Sequence, residues 1–146
     1  KKLSKKKREF LSKYIKKNSI WAIGKASTKE IDRINIFQAS LLAMKRAIKK
    51  LKKKPNQVLI DGNKLPNLKN LKMKTVIKGD QKIPVISAAS IIAKVSRDKY
   101  ITILAKKNCG YFWHQNFGYG TKQHLNAIKK LGITIHHRKS FSPIKK

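Results

Sequence analysis

Apolar residues at helical spacing open the chain. Phe10, Leu11, Tyr14 and Ile15 form one stripe, which predicts a helix over residues 3–17 with Ser4 as its cap and Asn18 at its end. The run Ser19–Ile20–Trp21–Ala22–Ile23–Gly24 carries side chains that suit a strand. Ser27 and Glu30 have the spacing of a capping box and start a short helix. A longer helix is expected from Ile36 to Leu51, with Phe37, Leu41, Met44, Ala47, Ile48 and Leu51 on its buried face. Lys49 to Lys54 place cations at the negative helix end, and Pro55 closes it.

Shorter apolar runs follow. Val58–Leu59–Ile60 reads as a buried strand that ends in Asp61–Gly62. Residues 74–77 read as a second strand, ending in Lys78–Gly79–Asp80, and the polar stretch 62–73 between them, with Pro66, reads as a loop. Ser87 to Lys106 predicts a helix whose Ala88, Ala89 and Ala93 permit close approach to another element. Tyr111, Phe112, Trp113, Phe117 and Tyr119 crowd a glycine-containing loop over 108–120. Thr121 caps a last helix that ends at Leu131, with Gly132 just beyond it. Residues 133–146 form a basic C-terminal extension on a single α/β domain over 1–146, without internal repeat.

Charge narrows the partners. The chain has 37 Lys and Arg against 6 Asp and Glu, a formal net charge of +31. Such a chain repels itself unless a polyanion or salt screens it, and nucleic acid is the obvious counterpart. An AT-rich coding sequence also writes lysine codons freely, so the charge permits nucleic-acid binding without establishing it. At 40% apolar residues the chain is no disordered basic tail. The apolar run from Val85 to Val95 is interrupted by Ser87, Ser90 and Lys94 and falls short of the roughly 20 residues that span a bilayer. Cys109 is the only cysteine, which excludes an intramolecular disulfide. A cytoplasmic monomer without membrane contact is the expectation.

The scarce acids carry more chemistry than the abundant lysines. Asp61 and Asp80 each follow an apolar run and adjoin a glycine, and strand ends in an open α/β sheet face the ligand crevice. Two carboxylates side by side stay ionised cheaply only with a cation between them. Oxygen donors of this kind suit Mg²⁺ or Mn²⁺, and paired divalent ions are a common solution for phosphodiester cleavage. Asp-Gly is also an ordinary turn dipeptide. No Cys or His pair has zinc-finger spacing, and no glycine-rich phosphate loop occurs.

Several segments, in order, resemble bacterial ribonuclease HII. They are Ile60–Asp61–Gly62–Asn63, Val76–Ile77–Lys78–Gly79–Asp80 and the stretch from Ile86 to Asp98. Gly118–Tyr119–Gly120–Thr121, His124 and His137–Arg138–Lys139–Ser140–Phe141 fit the same pattern, as do Lys1–Lys2–Leu3–Ser4 and Glu30–Ile31–Asp32. The resemblance implies a ribonuclease H-like fold and an endonuclease that hydrolyses the RNA strand of RNA–DNA hybrids and nicks at single ribonucleotides in DNA. It implies that Asp61 and Asp80 are the third and fourth of four acids holding the metals. It also implies that Tyr119 stacks beneath a sugar while Lys1, Lys2 and Lys94 meet phosphates. The family's Asp-Glu-x-Gly-Arg-Gly segment has no counterpart in these residues. The expectation is therefore an incomplete sheet without the first two strands, half of the metal ligands, and little or no activity in the chain as written. The alternative is a non-catalytic basic nucleic-acid-binding protein or remnant.

Overall fold

Helix α1 (Lys5–Asn18) begins where the stripe predicts, and the Ser4 side chain accepts from the Lys7 amide. The computed structural model describes residues 3–142 and 144. Helix α2 (Thr28–Lys49) carries the complete capping box of Ser27 and Glu30 at its start. It is broken at Asn35, whose φ of 63° and ψ of 167° are not helical. The Asn35 side chain accepts from the Gln38 amide at 3.0 Å and so caps the second half. This break is the boundary between the short and long helices expected from sequence.

Residues 20–27, by contrast, form no regular structure. The expected strand at 19–24 is a correction with a clear cause. A strand exists through its ladder, and the only ladder among the described residues joins two other segments. The segment instead lies along α2. A Cβ on Gly24 would fall 1.9 Å from the Ala43 carbonyl oxygen, so only glycine permits this approach.

Strands β1 (Gln57–Asp61) and β2 (Lys72–Val76) pair in parallel, in register from Gln57↔Lys72 to Asp61↔Val76. The connection over 62–71 contains no helix and is anchored by Pro66, which is fully buried. Both strands end at the same edge, and the chain enters the four-residue helix α3 (Gly79–Lys82) just after β2. Helix α4 (Pro84–Lys107) starts with proline in its first turn, where the missing N–H costs no helical bond. That start precedes the expected Ser87.

Helix α4 is the axis of the molecule, in contact with α1, α3 and β1. Ile86, Ile92 and Val95 on it are buried, as is Ile60 of β1. Its C-terminal half supports a second cluster, built from Ile101, Leu104 and Ala105 together with Tyr111, Trp113, Ala127 and Ile128. The last three of these come from the short helix α5 (Trp113–Asn116) and from α6 (Lys122–Leu131). Residues 134–141 fold back over this cluster and the start of α2. The Thr28 hydroxyl donates to the Ile135 carbonyl at 2.9 Å, and Asp32 accepts from the Lys139 amide, the Ser140 amide and the Ser140 hydroxyl at 3.0, 2.9 and 2.7 Å.

Candidate active site

Asp61 ends β1 as expected, whereas Asp80, expected at the end of a strand, lies in α3, because β2 stops at Val76 and the chain turns into the short helix. Asp61 closes β1, and its Oδ1 accepts from the Gly79 amide at 2.8 Å. Asp80 is the next residue, so the first carboxylate is fastened to the backbone that carries the second. Gly79 is buried, and a Cβ there would lie 2.6 Å from Ile86 Cδ1 and 3.3 Å from Val76 Cβ. The absence of a side chain is what lets α3 close on the end of β1. On the other side, the Ser87 hydroxyl donates to the Asp80 carbonyl at 2.8 Å and ties α3 to α4.

The electrostatics of the six acids sort them into roles. Glu30 is bound by Arg46 at 2.6 Å, and that hydrogen bond, aided by Ser27, lowers its pKa to about 2. Asp32 holds the C-terminal segment, and the Ser140 hydroxyl above all keeps its carboxyl below the ordinary value. Asp98 lies 3.0 Å from Lys94 Nζ and 3.6 Å from Arg97 Nη1. The lysine sits off the hydrogen-bonding direction of Asp98 Oδ1, so this contact is ionic rather than directed. Glu9, Asp61 and Asp80 remain, and the last two lie at the end of the sheet. Among the described residues no Lys or Arg forms an ion pair with either, although the chain has 37 cations.

Two carboxylates free of cationic partners are hard oxygen donors of the type that suits Mg²⁺ or Mn²⁺. No group of three or more His, Cys, Asp or Glu that could hold a metal occurs among the described residues. A divalent ion at Asp61 and Asp80 would need oxygen ligands beyond these two carboxylates. Such incomplete protein ligation is the ordinary habit of Mg²⁺, which dehydrates reluctantly.

The other site residues named from sequence fall in two groups. Tyr119 is 57% exposed at the tip of the loop between α5 and α6. Lys94, on α4, points its ammonium to within 5.6 Å of the Tyr119 ring and 5.7 Å of Phe117. These two are together on one surface. Lys1 and Lys2 lie outside the described residues. Arg97 also reaches Tyr119, its guanidinium carbon 5.3 Å from the ring. Sequence reasoning gave it no role, because the helical pattern says nothing of the loop it meets.

The loop that carries Tyr119 is held from below. Asn116 is buried, donating to the Tyr111 carbonyl at 2.8 Å and accepting from the Gly118 amide at 2.8 Å. Arg97 donates to the Phe117 carbonyl at 2.9 Å. Phe112 and Phe117, at either end of α5, both have positive φ, a strained backbone fixed by these contacts. The histidines serve the same scaffold. His124 and His137 are buried, their rings stacked at 5.4 Å, and His124 Nδ1 is 3.1 Å from the Tyr111 carbonyl. His137 Nδ1 accepts from the Thr134 amide at 2.9 Å. Burial, then the neighbouring His124, lowers the His137 pKa.

No helix among the described residues is long and apolar enough to cross a membrane. Known proteins share this architecture. A protein from Pyrococcus horikoshii described as ribonuclease H2 superposes with a TM-score of 0.68 at 23% identity, covering 99% of this chain and 76% of that one. The ribonuclease HII of Archaeoglobus fulgidus, solved in complex with PCNA, gives 0.61 at 22% identity, with 100% and 78% covered. These two show the fold, which is ribonuclease H-like. Sequence relatives are much nearer. The ribonuclease HII of Pelagibacter ubique is 74% identical over 142 residues, 97% of this chain and 76% of that protein. That of Nitrosospira multiformis is 52% identical over 140 residues, with 95% and 70% covered. A family model described as Ribonuclease HII matches residues 1–144, and the chain belongs to that family of type 2 ribonucleases H.

Proposed function

We propose that this ribonuclease H cuts the RNA strand of RNA–DNA hybrids, and DNA at single embedded ribonucleotides, with Asp61 and Asp80 as ligands of catalytic Mg²⁺ or Mn²⁺. The observation that supports the reading is the bond from the Gly79 amide to Asp61 Oδ1, which fastens the acid that ends β1 to the backbone that carries Asp80.

Each residue has a defined task. The Gly79 amide bonds to Asp61 Oδ1, and the carboxylate's other oxygen would be available to hold a metal. Ser87 holds the Asp80 main chain and with it the orientation of α3. Asp61 and Asp80 would help hold two divalent ions, which would supply a lowered pKa to the attacking water and charge stabilisation to the leaving 3′ oxygen. The products are a 5′-phosphate and a 3′-hydroxyl. Tyr119 offers its exposed ring to a sugar, a contact that tolerates any base sequence. Lys94, with Lys1 and Lys2, neutralises backbone phosphates and so positions the duplex without specifying sequence. The enzyme works on its nucleic-acid partner as a monomer.

Mn²⁺ binding, followed by electron paramagnetic resonance with an RNA–DNA hybrid present, tests the ligand assignment. Asp61→Asn and Asp80→Asn should each weaken Mn²⁺ affinity at least about tenfold, the lower end of what even outer-shell ligand changes cause. Unchanged affinity in both variants overturns the assignment. In a cleavage assay, any hydrolysis by the unaltered chain should disappear in both.

A further inference from the structure

Asp98 stands in the interior of α4, in a position that helix stability does not explain. Aspartate is a poor residue for a helix interior, and this side chain is only 15% exposed. Its pairing with Lys94 runs in the less favourable order, since an acid supports a helix better when it precedes the lysine by four residues. Neighbours one residue apart do not face each other on a helix, yet Arg97 Nη1 lies 3.6 Å from Asp98 Oδ1. Two cations thus converge on a single carboxylate oxygen that is itself buried.

Both cations continue from that oxygen to the same loop. Lys94 Nζ, 3.0 Å from Asp98 Oδ1, is 5.6 Å from the Tyr119 ring and 5.7 Å from the Phe117 ring. The planar Arg97 guanidinium turns Nη1 toward Asp98 and donates through Nη2 to the Phe117 carbonyl at 2.9 Å, with its carbon 5.3 Å from the Tyr119 ring. Phe117 and Gly118 both have positive φ, and Tyr119 follows them with its ring 57% exposed. Two cations share one carboxylate, so the surface beside that ring stays positive.

We propose that Asp98 is a positioning residue for the nucleic acid: through Oδ1 it sets Lys94 and Arg97 against the loop, and so fixes the Tyr119 ring and the Lys94 ammonium in the register that one stretch of sugar–phosphate backbone requires. This deepens the nuclease reading and rests on it for the identity of the polyanion. Asp98 itself touches neither the strand nor a metal. Its negative charge opposes a polyanion, and the order it imposes on the cations and the ring offsets that cost.

The test turns on a sign. Asp98→Asn removes a negative charge from a surface that meets phosphates, so a carboxylate without a positioning task should tighten binding when it is lost. The proposal predicts the opposite. Affinity for a fluorescently labelled RNA–DNA hybrid, measured by anisotropy in EDTA so that nothing is cut, should fall about fivefold or more, the lower end of what loss of an aromatic stacking contact causes. Asp98→Glu, which keeps the charge, should recover part of that loss. A purely structural role would lower Tm and leave affinity well below Tm at the parent value or above it. Binding equal to or tighter than the parent in Asp98→Asn overturns the proposal. Amide nitrogen order parameters at Gly118 and Tyr119 should drop in the same variant from about 0.85 to below about 0.6, and unchanged values overturn the proposal as well. If Asp98→Asn fails to fold, Arg97→Lys replaces it, because lysine keeps the charge but cannot reach acid and carbonyl together; parent binding and parent order parameters there overturn the proposal. Tyr119→Ala, run in parallel, judges the stacking. Should it bind like the parent, that part of the nuclease reading fails, and the order parameters still judge Asp98.

Discussion

Gly79→Ala isolates the geometry on which the acid pair depends. The new methyl would meet Ile86 Cδ1 at 2.6 Å and Val76 Cβ at 3.3 Å, while Asp61 Oδ1 would stay at an ordinary 3.5 Å. The severe contact is with the far end of a side chain, which can rotate, so the fold should survive. Overpacking of this kind costs about 1–3 kcal/mol. For a chain of this size each kcal/mol lowers Tm by about 2–4 °C. The cost to the site is larger than the cost to the fold, because α3 must move off β1 and stretch the 2.8 Å bond from the Gly79 amide to Asp61. Mn²⁺ affinity should fall about tenfold or more. Ile86→Val removes the offending Cδ1 at a cost of about 0.5–1.5 kcal/mol when made alone. Placed on Gly79→Ala it should cost less than that and restore much of the Mn²⁺ affinity. The double-mutant cycle by thermal melting and Mn²⁺ titration measures both quantities. Strict additivity in Tm, with no recovery of metal affinity, would show that the Gly79–Ile86 contact does not position Asp61.

Other perturbations probe the scaffold. Gly24→Ala should lower Tm more than Gly79→Ala, because its methyl would strike backbone, 1.9 Å from Ala43 O and 2.5 Å from Ala47 N; a change within 1 °C by circular dichroism refutes the packing of residues 20–27 on α2. Stability should fall as pH drops below about 6.5. His137, whose pKa is lowered by burial and by His124, is favoured neutral in the fold; its contribution is complete above the ordinary imidazole value and is lost as pH falls through the depressed one. His137→Gln should flatten the Tm profile between pH 7 and 5, a window clear of Glu30, whose lowered pKa of about 2 matters only below about pH 4.5. Asp32→Ala should raise amide hydrogen exchange at Lys139 and Ser140 while leaving β1 and β2 protected; equal exchange in both proteins refutes the anchor.

What the sequence made legible was local. The helices α1 and α6 follow from apolar spacing and caps that lie within a few residues of each other. Asp61 and Asp80 stood out because each ends an apolar run in an acid-poor chain. Features made by distant partners were not legible. The run 19–24 has strand-forming side chains, but strand formation depends on a neighbour that residues 20–27 do not find here. His137 and Arg138 belong to a segment that matched the family pattern, yet their placement depends on Thr28, Asp32 and His124. The sequence alone did not show which groups Asp98 would meet. It meets Lys94 and Arg97 of its own helix, because long side chains curl along the helix surface to reach it.

The division of labour among the acids explains how so basic a chain keeps an acidic site open. Any carboxylate in a field of this sign attracts a lysine, and a lysine on Asp61 or Asp80 would compete with a divalent ion. Geometry limits that competition. Gly62 and Gly79 adjoin the pair without side chains, and the Gly79 amide satisfies Asp61 Oδ1 with a dipole, which carries no net charge to repel a metal. Lys78 enters α3 with positive φ, a conformation that only a local constraint keeps in a non-glycine residue. Lys94 and Arg97 gather instead around Tyr119, the surface proposed to meet the nucleic acid. Asp61 and Asp80 at the end of the sheet and Lys94 and Arg97 around an exposed ring are the two features on which the proposed metal-assisted cut rests.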